Sequence, residues 1–292
     1  MLPFHVYDVF TSQPFTGNPL AIVEEADGLS AAQMQTIARQ FNLSETIFVQ
    51  APGDPAHTAK VRIFFPTAEI PFAGHPTIGC AIHLAGDDAA LVTLEEVAGL
   101  VPVTLTRDGP TVQAEFTAPK LPRALPATPN RVTMAAALGL TEQDLAPTPL
   151  GNFEGGPHFL YVELTDLDAL ARAQIREPAF TRTRETAGDT GAIYAYVRTG
   201  PVSIQARMFD PPAGIPEDPA TGSATAILSG QLLATGALAD GTSVWTVRQG
   251  VEMGRPSDLR LSVDVSAGAV TAIRVAGSAV KIAEGRIRIP NA

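Results

Sequence analysis

The most constraining feature of this 292-residue chain is an internal repeat. Residues 62–71 read RIFFPTAEIP and residues 207–216 read RMFDPPAGIP, so Arg, Phe, Pro, Ala, Ile and Pro recur in register 145 positions apart. A strand-like hairpin precedes each copy, and a Gly-containing turn with an apolar, helix-like stretch follows it. We therefore expect two similar halves whose turns face each other across one cleft.

The pattern of strands and helices favours an α+β fold over a doubly wound parallel sheet, because each half places several strands around one helix. Four prolines between Pro119 and Pro129 predict a stiff connector between the halves. The predicted domains are residues 1–125, completed by a C-terminal strand at about 277–292, and residues 126–276. In that tail, strand-like segments are expected to alternate around Gly277 and Gly285.

Composition excludes several classes of protein. A formal charge of −10 argues against nucleic-acid binding, because phosphate contacts need a basic face. The chain is 45% hydrophobic but has no apolar run long enough to cross a bilayer. Residues 1–10 carry no Lys or Arg ahead of an apolar stretch, so no secretory signal is expected and the cytoplasm is the predicted location.

The sequence does not predict a metal site. The single cysteine, Cys80, rules out a thiolate-rich zinc site and an intramolecular disulfide. The histidines lack the spacing of a helix-borne metal site; they are His5, His57, His75, His83 and His158.

The two turns carry different reactive groups. The second turn contains Asp218, Thr221, Gly222 and Ser223 ahead of a predicted helix, and the first contains Gly74 and His75 in the same relation. Free N–H groups at two such helix starts would suit an anionic small molecule. The alternative for the second turn is that Asp218 or Ser223 caps its own helix.

Other candidate residues allow two interpretations each. Ser30 is expected to cap a helix that ends near Asn42 and whose apolar residues fall at helical spacing, namely Met34, Ile37, Ala38 and Phe41. Glu45, placed in the link between this helix and the next strand, is either an acid/base group or a solvated surface group. Asn18 binds a ligand or stabilises its own turn, and His75 is a site residue or a packed turn histidine. Cys80 is favoured as a small buried hydrophobe. Arg62 and Arg207 bind substrate or pair with acids.

Several longer motifs resemble the PhzF-like isomerases of phenazine biosynthesis, which share the diaminopimelate epimerase fold. The matching stretches read Asp8-Val-Phe with Pro14-Phe-Thr-Gly-Asn-Pro, Asn42-Leu-Ser-Glu-Thr, Ala73-Gly-His-Pro-Thr-Ile-Gly, Glu217-Asp-Pro-Ala-Thr-Gly-Ser-Ala, and Gln249-Gly with Met253-Gly-Arg-Pro-Ser. This resemblance implies two domains, each a barrel-like, mostly antiparallel sheet around a central helix, with the active site between them. It also implies catalysis without metal or organic cofactor, and a homodimer is expected by analogy with similar proteins.

The resemblance also assigns roles to individual residues. Epimerases of this fold use two cysteines, but the matching positions here look like Ala73 and Asp218, so a two-thiol mechanism is excluded. The PhzF-like branch uses a glutamate, which matches Glu45, with His75 and Asp218 as further catalytic groups. Asn18, Gly74, Thr221, Gly222 and Ser223 are the expected substrate-binding residues.

The predicted function is a cofactor-independent isomerase that shifts a double bond in a small carboxylate-bearing metabolite. Glu45 would remove and return a proton, and burial between the domains would raise its pKa. Two alternatives remain. One is a racemase or epimerase using Glu45 and Asp218, and the other is a non-catalytic protein of the same fold that binds a small molecule.

Overall fold

The chain folds into two compact units. A computed structural model describes residues 1–109, 111–188 and 192–291. The first unit comprises residues 1–119, residues 254–258 and the chain from 275 onward, and the second comprises residues 120–253 and 259–274. No helix in these described ranges has both the length and the apolar composition to span a membrane.

The first unit contains the first ten elements of the chain. They are β1 (Leu2–Val9), β2 (Asn18–Val23), α1 (Ala31–Phe41), β3 (Glu45–Gln50), β4 (Ala59–Phe64), β5 (Glu69–Ile70), α2 (Gly74–Leu84), β6 (Leu91–Glu96), β7 (Gly99–Asp108) and β8 (Thr111–Thr117).

The second unit begins with β9 and ends within β17. Its elements are β9 (Arg123–Ala124), α3 (Arg131–Ala137), β10 (Gly151–Glu154), β11 (His158–Glu163), α4 (Leu167–Arg172), α5 (Ala179–Thr186), β12 (Ala192–Gly200), β13 (Ser203–Asp210), β14 (Ile215–Asp218), α6 (Gly222–Ala234), β15 (Gly241–Gln249), β16 (Ser257–Ser266) and β17 (Ala269–Ile287). The last part of β17, from Val275, and the start of β16 belong to the first unit.

Eight strands of the first unit close into a barrel in the order β1–β2–β3–β4–β6–β7–β8–β17. The β2–β3 and β4–β6 pairs are parallel, whereas β1–β2, β3–β4, β6–β7, β7–β8 and β1–β17 are antiparallel. Helix α2 is buried from Gly74 to Ala81. The predicted mostly antiparallel sheet around a central helix is therefore confirmed in this unit.

The second unit repeats this plan. Strand β9 pairs antiparallel with β10, and β10 with β11; β12 likewise pairs antiparallel with β13, and β13 with β14. The β11–β12 and β13–β15 pairs are parallel. Helix α6 is buried over most of residues 222–232, and the Tyr161 hydroxyl of β11 donates to the Ala224 carbonyl at 2.7 Å. The sequence pattern predicted the β12–β13 hairpin and α6 but not β14, β10 or α5.

Helix α1 begins and ends where its sequence predicts. Ser30 and Gln33 form a reciprocal capping box, and Asn42 ends the helix in the left-handed conformation at φ 52°. Met34, Ile37 and Ala38 form the buried face, which packs into the apolar cluster that contains Phe48.

The tail differs from its prediction. Strand β17 runs unbroken through Gly277 and Gly285. A Cβ at Gly277 would lie 2.2 Å from the ring of Phe10, and one at Gly285 would lie 2.8 Å from the ring of Phe4. These glycines are therefore places where an aromatic side chain packs on the strand, and the prediction of breaks at them is wrong.

The repeated arginines pair with acids. Arg62 makes a bidentate ion pair with Glu69, with contacts of 2.7 and 2.6 Å, and Arg207 makes one with Glu217, both at 2.8 Å. Each guanidinium also lies over the phenylalanine two residues later, at 5.4 Å for Arg62 and 4.9 Å for Arg207. The duplicated scaffold thus keeps a structural arginine in both halves.

Glu96, at the end of β6, is a buried carboxyl group in the first unit. Its Oε1 accepts a hydrogen bond from Thr77 Oγ1 of α2 at 2.7 Å, and burial raises its pKa from 4.5 to about 8. The folded protein therefore keeps this proton at pH values where the unfolded chain has lost it.

We predict that the contribution of Glu96 to the free energy of unfolding falls as pH rises from about 4.5 to about 8, because only the unfolded chain loses the Glu96 proton in that window. The buried His75, whose pKa is lowered to about 3, contributes with the opposite sign up to about pH 6.5, so the Glu96 effect is the difference between wild type and variant. Because Gln stays neutral in Glu96→Gln, the contribution of this position to the free energy of unfolding no longer changes with pH. The variant is therefore more stable than wild type at pH 8 by about 3–5 kcal/mol. Urea unfolding at pH 5 and pH 8 measures this. Glu25→Gln, at an exposed position, should keep the wild-type slope; the same slope in Glu96→Gln would contradict the assignment.

Candidate active site

The first unit brings together Asn18, Glu45 and His75, which we call the Glu45 cluster. Asn18 begins β2, Glu45 begins β3 and His75 lies in the first turn of α2. Because β2 and β3 are parallel, with Leu20 opposite Glu45, both strands begin at the same edge of the barrel. Glu45 is thus the first strand residue and not part of a link, and it is buried, with 7% of its surface exposed.

Close packing of α2 on the barrel wall positions His75. Gly79, one turn after His75, faces the wall so closely that a Cβ there would lie 2.6 Å from a Leu20 methyl group and 2.8 Å from a Val9 methyl group. The His75 Nδ1 atom consequently lies 3.1 Å from Glu45 Oε2 and 3.5 Å from Asn18 Nδ2.

The His75 imidazole is neutral. Burial lowers its pKa from 6.5 to about 3, and its contact with the Pro19 backbone only partly offsets that effect. A neutral ring carries one proton, and the Pro19 backbone offers only a carbonyl, so Nδ1 donates to that carbonyl and Nε2 is left as an acceptor. Within the part of the chain that the structure describes, the buried Nε2 has no hydrogen-bond partner. Such a group is usually explained by a ligand or water.

The loop before Asn18 is held by a part-buried ion pair. Arg255 Nη2 lies 2.5 Å from Asp8 Oδ1 and also donates to the Thr16 carbonyl, while Nε donates to the Gly17 carbonyl. Gly17 has φ +69°, and a Cβ there would meet the Val9 carbonyl at 2.4 Å. Only glycine fits this turn, which places Asn18 at the start of β2.

The second unit carries Asp218, Thr221 and Gln249, which we call the Asp218 turn. Thr221 Oγ1 donates to Asp218 Oδ2 at 2.6 Å. The Gln249 side chain at the end of β15 donates to the Asp218 carbonyl at 2.7 Å and accepts from the Thr221 backbone N–H at 3.2 Å. All three residues are buried, so this turn is a connected polar network inside the unit.

A helix N-terminus adjoins each of these groups of residues: that of α2 lies at the Glu45 cluster and that of α6 at the Asp218 turn. Thr221 is the N-cap of α6 and makes no side-chain cap bond, so neither Asp218 nor Ser223 occupies the N-cap position that was considered for them. Asp218 instead ends β14, and Gly222 and Ser223 lie in the first helical turn. The first N–H groups of a helix have no intrahelical acceptor. Those of Gly222 and Ser223, and likewise that of Gly74 in α2, therefore suit an anion.

Cys80 has no chemical role in this arrangement. It is buried in α2, and burial raises the pKa of its thiol, so the sulfur stays protonated and packs as a small apolar group. The Glu45 cluster offers one imidazole and one carboxylate, fewer ligands than a protein-held metal needs.

Gln249 is the residue that sequence reasoning missed. It appeared within a matching motif, Gln249-Gly, but no local signal marks a strand-end glutamine as the partner of a turn 28 positions away. Only the register that places β15 beside β13, with Ala206 opposite Gln249, brings it to the Asp218 turn.

We predict that Gln249→Leu lowers the free energy of unfolding by about 3 kcal/mol, because the Asp218 carbonyl and the Thr221 N–H lose their buried partner. The matched control is Gln205→Leu, since Gln205 lies on β13 and makes one part-buried bond to Glu252 at 2.8 Å. The control substitution should lower the free energy of unfolding by about 1 kcal/mol or less. Urea unfolding compares them, and equal costs would show that the network does not hold the turn.

Comparison with known proteins identifies the family. The sequence profile of the phenazine biosynthesis-like proteins, PhzC-PhzF, matches residues 7–285. The chain is 38% identical to an uncharacterized isomerase of Mesorhizobium japonicum, over 97% of this chain and 98% of the relative. It is 35% identical to the trans-2,3-dihydro-3-hydroxyanthranilate isomerase of Pseudomonas chlororaphis, with the same shares covered.

A solved structure supports the same assignment. The PhzF-family phenazine biosynthesis protein of Bacillus anthracis superposes with a TM-score of 0.88 at 26% identity, covering 99% of both chains. The closed barrel around α2, the duplicated plan and the match over residues 7–285 agree with one another. The chain belongs to the PhzF family of phenazine biosynthesis-like isomerases.

Proposed function

We propose that this protein is a cofactor-independent isomerase that moves a proton, and with it a double bond, on a small carboxylate-bearing metabolite. Glu45 acts as the single acid/base group. The observation that carries the proposal is the buried carboxylate of Glu45, 3.1 Å from an imidazole that burial keeps neutral. Next to a neutral histidine, the carboxylate is the group that takes up a proton at neutral pH.

The surroundings of Glu45 suit this chemistry. A neutral His75 places no positive charge beside the Glu45 carboxylate. The His75 Nε2 atom is available to accept from a substrate hydroxyl or amine, and Asn18 at the start of β2 adds a side-chain amide. Glu45 would remove a proton from carbon and return it at another carbon of the same face.

We propose two roles for the Asp218 turn. The adjoining start of α6 holds the substrate's carboxylate, and Asp218 passes a proton to or from the substrate. The N–H groups at the start of α6 and the Ser223 hydroxyl are donors for a carboxylate or a developing enolate. The Gln249 network fixes these donors before substrate arrives, and prepositioned donors stabilise charge without reorganisation.

The substrate class follows from the relatives. Some are named trans-2,3-dihydro-3-hydroxyanthranilate isomerases. We accordingly propose an unsaturated amino or hydroxy acid, in which a carbon acid lies next to a carbonyl or double bond. A racemase is the second candidate, since Asp218 is a second buried carboxyl group able to exchange a proton.

We predict that Glu45→Gln lowers turnover of such a substrate by at least about 100-fold while its dissociation constant changes only a few-fold, because the amide keeps the shape and cannot take a proton. Stopped assays on trans-2,3-dihydro-3-hydroxyanthranilate and a panel of amino and hydroxy acids measure turnover, and calorimetry measures binding. Glu69→Gln, which removes only the partner of Arg62, is the control and should keep turnover. Near wild-type turnover in Glu45→Gln would exclude Glu45 as the base.

The racemase is separated from the isomerase by turnover in deuterated water, followed by NMR. A one-base isomerase yields a product with a displaced double bond, and Asp218→Asn slows it without changing which product forms. A two-base racemase yields an inverted stereocentre carrying deuterium. Saturable binding with no exchange into any ligand would instead support the non-catalytic binding protein.

A further inference from the structure

Two histidines and a glutamate converge on one point of the first unit, away from the Glu45 cluster. His5 lies in β1, Glu24 follows the last residue of β2, and His83 lies in the last turn of α2. Glu24 Oε1 is 2.5 Å from His83 Nε2 and 3.6 Å from His5 Nε2, and one ligand atom from each residue lies within 4.8 Å of the others. The rings of His5 and His83 stack loosely, with centroids 4.5 Å apart.

The outer nitrogen of His83 has a hydrogen-bond partner, and that of His5 lies near a carboxylate. The Tyr7 hydroxyl lies 3.1 Å from His83 Nδ1, and Glu284 Oε2 lies 3.6 Å from His5 Nδ1. Each imidazole therefore turns Nε2 towards Glu24, and His83 has a hydroxyl oxygen hydrogen-bonded to Nδ1. This is the arrangement that orients metal-ligating histidines in proteins, where an outer hydroxyl or carboxylate fixes the ring and its tautomer.

We propose that His5 Nε2, Glu24 Oε1 and His83 Nε2 bind one divalent transition-metal ion, of which Zn²⁺ and Co²⁺ are the test cases, with water completing the coordination. Two imidazole nitrogens and one carboxylate oxygen suit these ions, whereas Ca²⁺ and Mg²⁺ prefer oxygen ligands throughout. The three side chains are part-buried, and Glu24 keeps 32% of its side chain exposed, which gives an ion access.

The distances between the ligand atoms fit a tetrahedral zinc site after a small adjustment. Ligand atoms around a tetrahedral zinc lie about 3.3 Å apart, as follows from bond lengths of about 2.0–2.1 Å. The separation of 3.6 Å between His5 and Glu24 is already close to this value. The contact of 2.5 Å between His83 and Glu24 has to open by about 1 Å, which rotation of the part-exposed Glu24 carboxylate allows.

This site is separate from the proposed chemistry. His83 follows His75 by eight residues on α2, so the two side chains leave the helix about 12 Å apart. A bound ion would join β1, the end of β2 and the C-terminal turn of α2, and it would stabilise the helix that carries His75 at its other end. Sequence spacing missed the site because its ligands come from three elements, at positions 5, 24 and 83.

The test uses the full chain without an affinity tag, stripped of metal by a chelator. Co²⁺ is titrated while visible absorption is followed, and Zn²⁺ binding is measured by calorimetry and by the shift in melting temperature. We expect one equivalent to bind, with visible bands of nitrogen and oxygen coordination and a higher melting temperature with either ion. No binding above the buffer blank would overturn the proposal and leave a hydrogen-bonded polar cluster.

Variants identify the ligands. Glu24→Gln and His83→Asn should each weaken Zn²⁺ binding by at least about tenfold, and Tyr7→Phe, which leaves all three ligands in place, should weaken it by about tenfold. His57→Asn is the control, because His57 pairs with Glu95 at 2.7 Å but is not part of the three-ligand cluster. Melting curves in chelator verify folding of each variant. Unchanged affinity in Glu24→Gln and Tyr7→Phe, or its loss in His57→Asn, would place the ion elsewhere.

Discussion

The close approach of α2 to the barrel wall is the constraint on which the proposed chemistry depends. Gly79 leaves no side chain between the helix and β1–β2, so His75 is pressed against the start of β3 and loses its contact with water. Burial then disfavours the imidazolium, and the pKa of His75 falls to about 3. The packing of α2 therefore determines the charge next to Glu45: His75 is a neutral neighbour of the carboxylate and not a counter-ion.

In the second unit, a network of buried polar side chains fixes the turn that carries Asp218. There a buried glutamine, Gln249, satisfies the backbone of the turn between β14 and α6, and Thr221 supplies a hydroxyl to Asp218. Leaving these polar groups unpaired would be costly, so the network fixes the turn and directs the first N–H groups of α6. Duplication preserved the strand, turn and helix, while the reactive side chains diverged between His75 in one copy and Asp218 in the other.

Much of the fold could be predicted from the sequence, because local rules agree with the final packing. The Ser30 cap, the periodic face of α1, the hairpins and the repeated helix starts all lie as expected. Prediction was wrong where distant packing overrides a local signal: Gly277 and Gly285 sit inside β17 because Phe10 and Phe4 pack on them. For the same reason the role of Gln249 was not predicted, since strand register alone brings it to its turn.

The most direct test of the central claim, that burial holds His75 neutral beside the Glu45 carboxylate, is nitrogen NMR of the imidazoles across pH 4.5 to 8. The His75 signals are assigned by their loss in His75→Gln. The account predicts that both ring nitrogens keep the shifts of a neutral ring throughout, because the pKa of about 3 lies below the range. A titration midpoint near the unperturbed value of about 6.5 would contradict it.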